Sequence, residues 1–157
     1  MLVVADDMTG ANATGALFAA RGMRTVSVAE PAHLARFAGE FDVLVVDIAS
    51  RHLPAEEAAR RLPEALGEIV RRCLADRPVG GLYVTGGDVT VRVMAALGAE
   101  GIELEEEVLP LAVAGRLRGG PHGGLPFTTK GGLIGGPLAA VACVEHTRRL
   151  ARRWRDK

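Results

Sequence analysis

The stretch Gly81–Leu97, GLYVTGGDVTVRVMAAL, decides the fold class. Gly81 to Thr85 is apolar enough for a strand buried on both faces, and Gly86-Gly87-Asp88 then makes a tight turn. Val89 to Leu97 reads as a helix closed by Gly98. A strand that passes through glycines straight into a helix is the repeating unit of a parallel sheet covered by helices.

The same unit opens the chain. Leu2 to Ala5 is a short apolar run ending at Asp6 and Asp7, followed by helix signals in which Asn12 or Thr14 serves as cap and Gly22 as a left-handed stop. Arg24 to Ala29 predicts a second strand, Pro31 to Ala38 a short helix, and Asp42 to Asp47 a third strand. Pro54 to Ala75 is helical in composition, but Pro63 interrupts it and marks a seam. Beyond Gly98, two shorter strands are expected at Glu100–Pro110 and Leu111–Leu117. Another follows at Leu125–Thr129, and a closing helix at Pro137–Trp154. The expected fold is α/β, a mostly parallel Rossmann-like sheet with flanking helices. Residues 1–62 and 63–157 form two blocks, as small domains or merged into one compact unit.

Composition narrows the partners. Nineteen Lys plus Arg balance nineteen Asp plus Glu, so the formal charge is +0 and no global field draws the chain to nucleic acid or to a membrane. The arginines at 148, 149, 152, 153 and 155 spread around a terminal helix with one aromatic, Trp154, and read as a solvated face. Cys73 and Cys143 lie in helical stretches with no paired spacing and read as small core residues. No basic, apolar leader opens the chain and no apolar run approaches a membrane span, so a cytoplasmic location is expected.

Ligands of an open parallel sheet gather beyond the carboxyl ends of its strands. Here those ends carry Asp6-Asp7, Asp47, Thr85-Gly86-Gly87-Asp88 and Thr129-Lys130-Gly131-Gly132. Glycines between strand and helix let backbone N–H groups approach a phosphate, and the helix N-terminus adds positive potential. Steric need for glycine in a tight turn accounts for the same residues, and an aspartate such as Asp42 or Asp88 is equally a turn residue or cap. The second loop, Lys130 to Pro137, adds a lysine able to neutralise a phosphate oxygen. Asp6 and Asp7 with Thr9 and Gly10 offer acceptors for substrate hydroxyls, and Asp7 is the preferred base for phosphoryl transfer. Arg51, beside Ser50, reads either as a planar donor fork for a substrate carboxylate or as an exposed surface arginine. His33, His122 and His146 show no ligand spacing, and no protein-held metal site is expected.

At these residues the chain resembles the four-carbon acid sugar kinase family, whose members phosphorylate erythronate, threonate or 3-oxo-tetronate with ATP. ADDMTGANATG (Ala5–Gly15) and DVLVVDIASRHLP (Asp42–Pro54) resemble the opening of the family's substrate-binding domain. LYVTGGDVT (Leu82–Thr90), LGAEGIELEEEVLPLAVAGRLRGG (Leu97–Gly120) and LPFTTKGGLIGG (Leu125–Gly136) resemble its nucleotide-binding domain. The resemblance implies ATP with Mg²⁺ as cofactor, bound at Gly86, Gly87, Asp88, Lys130, Gly131, Gly132 and Gly135. It also implies substrate contacts at Asp6, Asp7, Thr9, Gly10 and Arg51. Ala13, Ile48, Ala49, Val89 and Leu133 depart from the family's pattern. Family members are longer, with further substrate-domain residues between the two blocks, so an internal deletion near Pro63, impaired catalysis and a possible homodimer are the expectation. Two readings from other classes stay open: a non-catalytic nucleotide-binding or interaction protein, and a receiver-like phosphoacceptor built on Asp6, Asp7, Asp47, Thr85 and Lys130.

Overall fold

Leu2, Val3, Val4 and Ala5 are all buried, as expected of a strand with neighbours on both edges and helices over both faces. This strand, β1 (Leu2–Ala5), lies within a seven-stranded sheet. The computed structural model describes residues 1–5, 8–28, 33–37, 39–47, 70–71, 74–75, 79–131, 135–136 and 138–155; of residues 8–10, 35, 47, 154 and 155 it describes the backbone alone. After β1 come α1 (Met8–Ala19), β2 (Thr25–Val28), α2 (Leu34–Phe37) and β3 (Val43–Asp47). The second half holds β4 (Leu82–Thr85), α3 (Gly87–Ala96), β5 (Gly101–Leu109), β6 (Ala112–Arg118), β7 (Pro126–Lys130) and α4 (Ala139–Arg155). The sheet order is β2-β3-β1-β4-β7-β6-β5; β2, β3, β1, β4 and β7 run parallel, and β6 and β5 are antiparallel to their neighbours. Strands from both sequence blocks therefore share one sheet, joined where β1 pairs β4 with Leu2 opposite Leu82 and Val4 opposite Val84.

The period of two along each strand sorts the core into two layers. Leu2, Val4, Leu44, Val46, Leu82, Val84 and Phe127 meet Val89, Val93 and Leu97 at the α3 face. Val3, Val43, Val45 and Tyr83 meet Ala11 and Phe18 of α1 and Val141, Cys143 and Val144 of α4 on the other. Each such Val or Phe, fully removed from water, contributes about 1.5–3 kcal/mol. Cys143 is the small core residue its setting predicts, and burial pushes its thiol up to about 11, with the nearby Lys130 charge acting the other way.

Three local expectations change. Helix α1 begins at Met8, so Asn12 and Thr14 are interior residues rather than caps, although Gly22 does take φ 76°. The turn after β4 shrinks to Gly86, because Gly87 and Asp88 already belong to α3. The strands expected to be short, β5 and β6, are the longest in the sheet at 9 and 7 residues. Their hairpin has register shifts between Leu104 and Glu106 and between Glu107 and Leu109. Gly115 sits opposite Leu104, where a Cβ would run into the Glu103 carbonyl, so only glycine admits the irregularity. Pro63 and Cys73 lie outside the described residues.

Polar contacts lock α4 onto the sheet. Thr147 Oγ1 donates to the Cys143 carbonyl at 2.8 Å and so accepts from Thr128 Oγ1 at 2.6 Å. Arg116 pairs with Glu105 at 2.6 Å and donates to the carbonyls of Gly124 and Leu150. His146, buried on α4, lies 3.0 Å from a Glu106 oxygen through Nε2 and 2.6 Å from Arg149 through Nδ1. A guanidinium only donates, so Nδ1 accepts and Nε2 carries the hydrogen towards Glu106. Burial lowers the pKa of His146; Glu106 opposes that shift, while Arg149 and Arg153 reinforce it.

Two outcomes follow. Leu111, at φ 62° and largely exposed, spends about 1–2 kcal/mol on a left-handed backbone. Leu111→Gly is expected to raise the urea-unfolding free energy by about 1 kcal/mol after the entropic cost of glycine. For His146, a folded-state pKa below the ordinary 6.5 means that the unfolded chain binds the proton more readily. The stability it contributes is therefore present above pH 6.5 and lost as pH falls through the folded value. The advantage of wild type over His146→Gln in urea should shrink from pH 8 towards pH 5.

Candidate nucleotide site

Parallel pairing sets the carboxyl ends of β3, β1, β4 and β7 side by side, with Ala5 opposite Asp47 and Thr85 opposite Lys130. The helix after β1 packs back over β2 and β3, whereas α3 packs on β4 and β7. The gap between the ends of β1 and β4 is thus a topological switch point, where open α/β sheets leave a crevice. The segment holding Asp6 and Asp7 lies outside the described residues, as do Arg51 and Gly132. Thr9 and Gly10 fall in the first turn of α1, at the same edge.

The two glycine loops, remote in sequence, meet through the backbone. Gly86 N–H donates to the Lys130 carbonyl at 3.0 Å, one step beyond the Thr85–Lys130 pair. Gly86 adopts φ 98° and ψ 131°, a conformation open to glycine and strained for other residues. Its carbonyl accepts twice, from Thr90 N–H at 2.9 Å and from Thr90 Oγ1 at 2.8 Å. With its one hydrogen spent, Thr90 Oγ1 must accept from Thr129 Oγ1 at 2.5 Å. The Gly86 peptide is clamped from β7 and from within α3.

Among the described residues no side chain caps α3, and the first N–H of the helix to find a carbonyl is that of Thr90. The preceding N–H groups, of Gly87, Asp88 and Val89, project from the helix end, where the dipole adds about half a positive charge. A Cβ placed on Gly87 meets nothing within 4 Å among the described residues. Asp88 is exposed in this first turn. The arrangement suits a phosphate held by backbone donors.

The second loop divides by role. Gly131 N–H is engaged with the Leu111 carbonyl at 3.3 Å, and Lys130 Nζ donates to the Gly131 carbonyl at 2.8 Å from a half-buried position beside the first loop. Gly135, at φ 83°, approaches Ala139 so closely that an added Cβ would come within 2.6 Å of its methyl. The Tyr83 hydroxyl is buried with no hydrogen-bond partner among the described residues. Its pKa is pushed up by burial and then by Cys143, with Thr85 near enough to oppose the shift. Sequence reading placed Thr129 at a strand end facing the crevice without a role and passed over Thr90, whose signal was a hydroxyl four residues after Gly86. Among the described residues, no three His, Cys, Asp or Glu side chains gather to hold a metal, and no helix is long and apolar enough to cross a membrane.

A glycine-led helix N-terminus at the switch point of a mostly parallel sheet defines a nucleotide-binding class of α/β protein. The profile of the nucleotide-binding C-terminal domain matches residues 13–139, across both sequence blocks, and the chain belongs to the four-carbon acid sugar kinase family. It is 48% identical over 108 residues to the D-erythronate kinase of Heliobacterium modesticaldum, covering 65% of this chain and 25% of that protein. Against the D-threonate kinase of Salmonella typhimurium it is 35% identical over 80 residues, covering 51% and 19%. A crystal structure from Bordetella bronchiseptica, described as a domain of unknown function with bound citrate and as a domain-swapped dimer, superposes with a TM-score of 0.71. That match has 26% identity and covers 96% of this chain and 41% of that one. The chain thus spans about a quarter or less of the length of these curated relatives. Its antiparallel β5–β6–β7 edge has no counterpart in the all-parallel receiver sheet, which removes the phosphoacceptor reading.

The clamp on Gly86 has a measurable consequence. Thr90→Val keeps the shape but strands the Thr129 hydroxyl, and is expected to cost about 1–2 kcal/mol in urea unfolding. It should also weaken nucleotide binding by loosening the loop, read by calorimetric titration; wild-type values in both measurements would show that the clamp does not matter.

Proposed function

We propose that the chain binds ATP, as its Mg²⁺ complex, at Gly86, Gly87, Asp88 and the loop from Lys130 through Gly131 and Gly132 to Gly135. The phosphoryl acceptor is a four-carbon sugar acid of the erythronate, threonate or 3-oxo-tetronate type. The observation that carries this reading is the start of α3, without a side-chain cap among the described residues and held against the Lys130 strand end by the Gly86–Lys130 bond. The kinase names of the relatives support the substrate class. In this reading Asp6, Thr9 and Gly10 receive substrate hydroxyls, Asp7 takes the proton of the attacking hydroxyl, and Arg51 holds the carboxylate. Residues 1–62 then serve the acid and residues 63–157 the nucleotide, in a cytoplasmic enzyme. Phosphoryl transfer needs both substrates positioned and water excluded, and a misplacement of about 1 Å can cost 10²-fold. Nucleotide binding with impaired or no turnover is the second reading, because the two blocks meet near Pro63 without the further substrate-domain residues that would complete the acid pocket. Assembly as a homodimer is proposed on the strength of the domain-swapped Bordetella relative.

Titration of ATP·Mg²⁺ into wild type and Gly87→Val tests the nucleotide assignment. Nothing among the described residues lies within 4 Å of a Cβ at position 87, so the valine is expected to be accommodated while filling the place of a phosphate; affinity should fall at least about tenfold. Equal affinity of the two proteins would refute the assignment. Phosphorylation of D-erythronate and D-threonate, followed in the same samples together with solution mass, separates an active kinase from a binding protein. Ordinary kinase turnover of about 1–100 s⁻¹ by a monomer would exclude both the impaired form and the dimer.

A further inference from the structure

The arginines of α4 are the sequence feature that the nucleotide site leaves unused, and the structure divides them. Arg149 turns to His146. Arg148 and Arg152, one helical turn apart, instead line a cavity of about 260 Å³ together with Met1, Asp42, Gly80 and Ala151. Met1 and Gly80 precede β1 and β4, so this cavity lies at the amino-terminal edge of the sheet, opposite the glycine loops.

Charge in this cavity is poorly compensated. Neither Arg148 nor Arg152 makes a hydrogen bond or ion pair among the described residues. Asp42, the one carboxylate among the described lining residues, is engaged first with Arg24, whose N–H it accepts at 2.9 Å and whose Nε lies 3.5 Å away, while the Arg148 charge acts on it more weakly and without a hydrogen bond. Like charges four residues apart cost a helix about 0.2–0.5 kcal/mol. The helix dipole favours Arg152 in the last turn, but its influence fades within that turn and does not account for Arg148. Two planar donor forks facing one recess match the oxygens of a phosphate or carboxylate. The volume lies just below the roughly 300–1,000 Å³ of small-molecule sites, which suits an anion of few heavy atoms and not a nucleotide.

We propose that this cavity is a second ligand site, in which Arg148 and Arg152 clamp a small oxyanion, the phosphate or carboxylate group of a metabolite, independently of the glycine loops.

The test is titration of the ¹⁵N-labelled chain with inorganic phosphate and, separately, with malonate, at ionic strength held constant with sodium chloride. Saturable shifts of the Gly80 and Ala151 amides are expected in at least one arm, and the arm that saturates assigns the ligand as phosphate or carboxylate. Affinity should fall at least tenfold in Arg148→Gln/Arg152→Gln. It should stay unchanged in Gly87→Val, which separates this site from the nucleotide site even if that reading fails. Shifts that never saturate in either arm, survive in the double variant, or vanish in Gly87→Val would overturn the proposal. So would a double variant that retains wild-type binding while its spectrum shows an intact fold.

Discussion

The pairing of β4 with β1 on one edge and with β7 on the other is the constraint on which the rest depends. It places Val4 beside Val84 and Thr85 beside Lys130, so three parallel strands end at one level. The next backbone bond, Gly86 N–H to the Lys130 carbonyl, then leaves no freedom in where α3 begins. A slip of one residue would turn every side chain of β4 to the opposite face, exchanging Tyr83 with Val84 and dissolving both core layers at once. Register at this strand is therefore held by burial on both faces, and the loop geometry comes with it.

Around that centre the molecule spends its polar groups in two ways. Thr128 with Thr147, Arg116 with Glu105, and His146 with Glu106 and Arg149 satisfy one another and pin α4 and the hairpin to the sheet. Among the described residues, the donors of the first turn of α3 have no side-chain cap at the carboxyl edge, and at the amino edge Arg148 and Arg152 share one carboxylate, Asp42, that is hydrogen-bonded to Arg24. Buried and half-buried polar groups are normally paired, so groups left open at cavities and helix ends are where ligands are to be sought.

The position of the chain within its family follows from the same geometry. Strands from the start of the chain complete the sheet that carries the glycine loops, and the domain profile runs across both. One sheet thereby sets the carboxyl ends of β1 and β4 side by side.

Much was legible from residues alone. Apolar runs of four or five residues located β1, β3 and β4, because strands buried on both faces are mostly apolar, whereas β7 carries the buried but hydrogen-bonded Thr128. Local sequence was less informative about ends: α1 starts before its apparent caps, and α3 starts inside its apparent turn, since tertiary contacts complete what local capping signals omit. By itself the sequence determined the α/β class, the order of the elements and the kinship with acid sugar kinases, all of which rest on periodicity and contiguous motifs. Only the tertiary structure decided that both blocks share one sheet, that Thr90 and Thr129 clamp Gly86, and that Arg148 and Arg152 part from Arg149. Those depend on strand register and on which helix face meets the sheet, and both are set by partners far away in the chain.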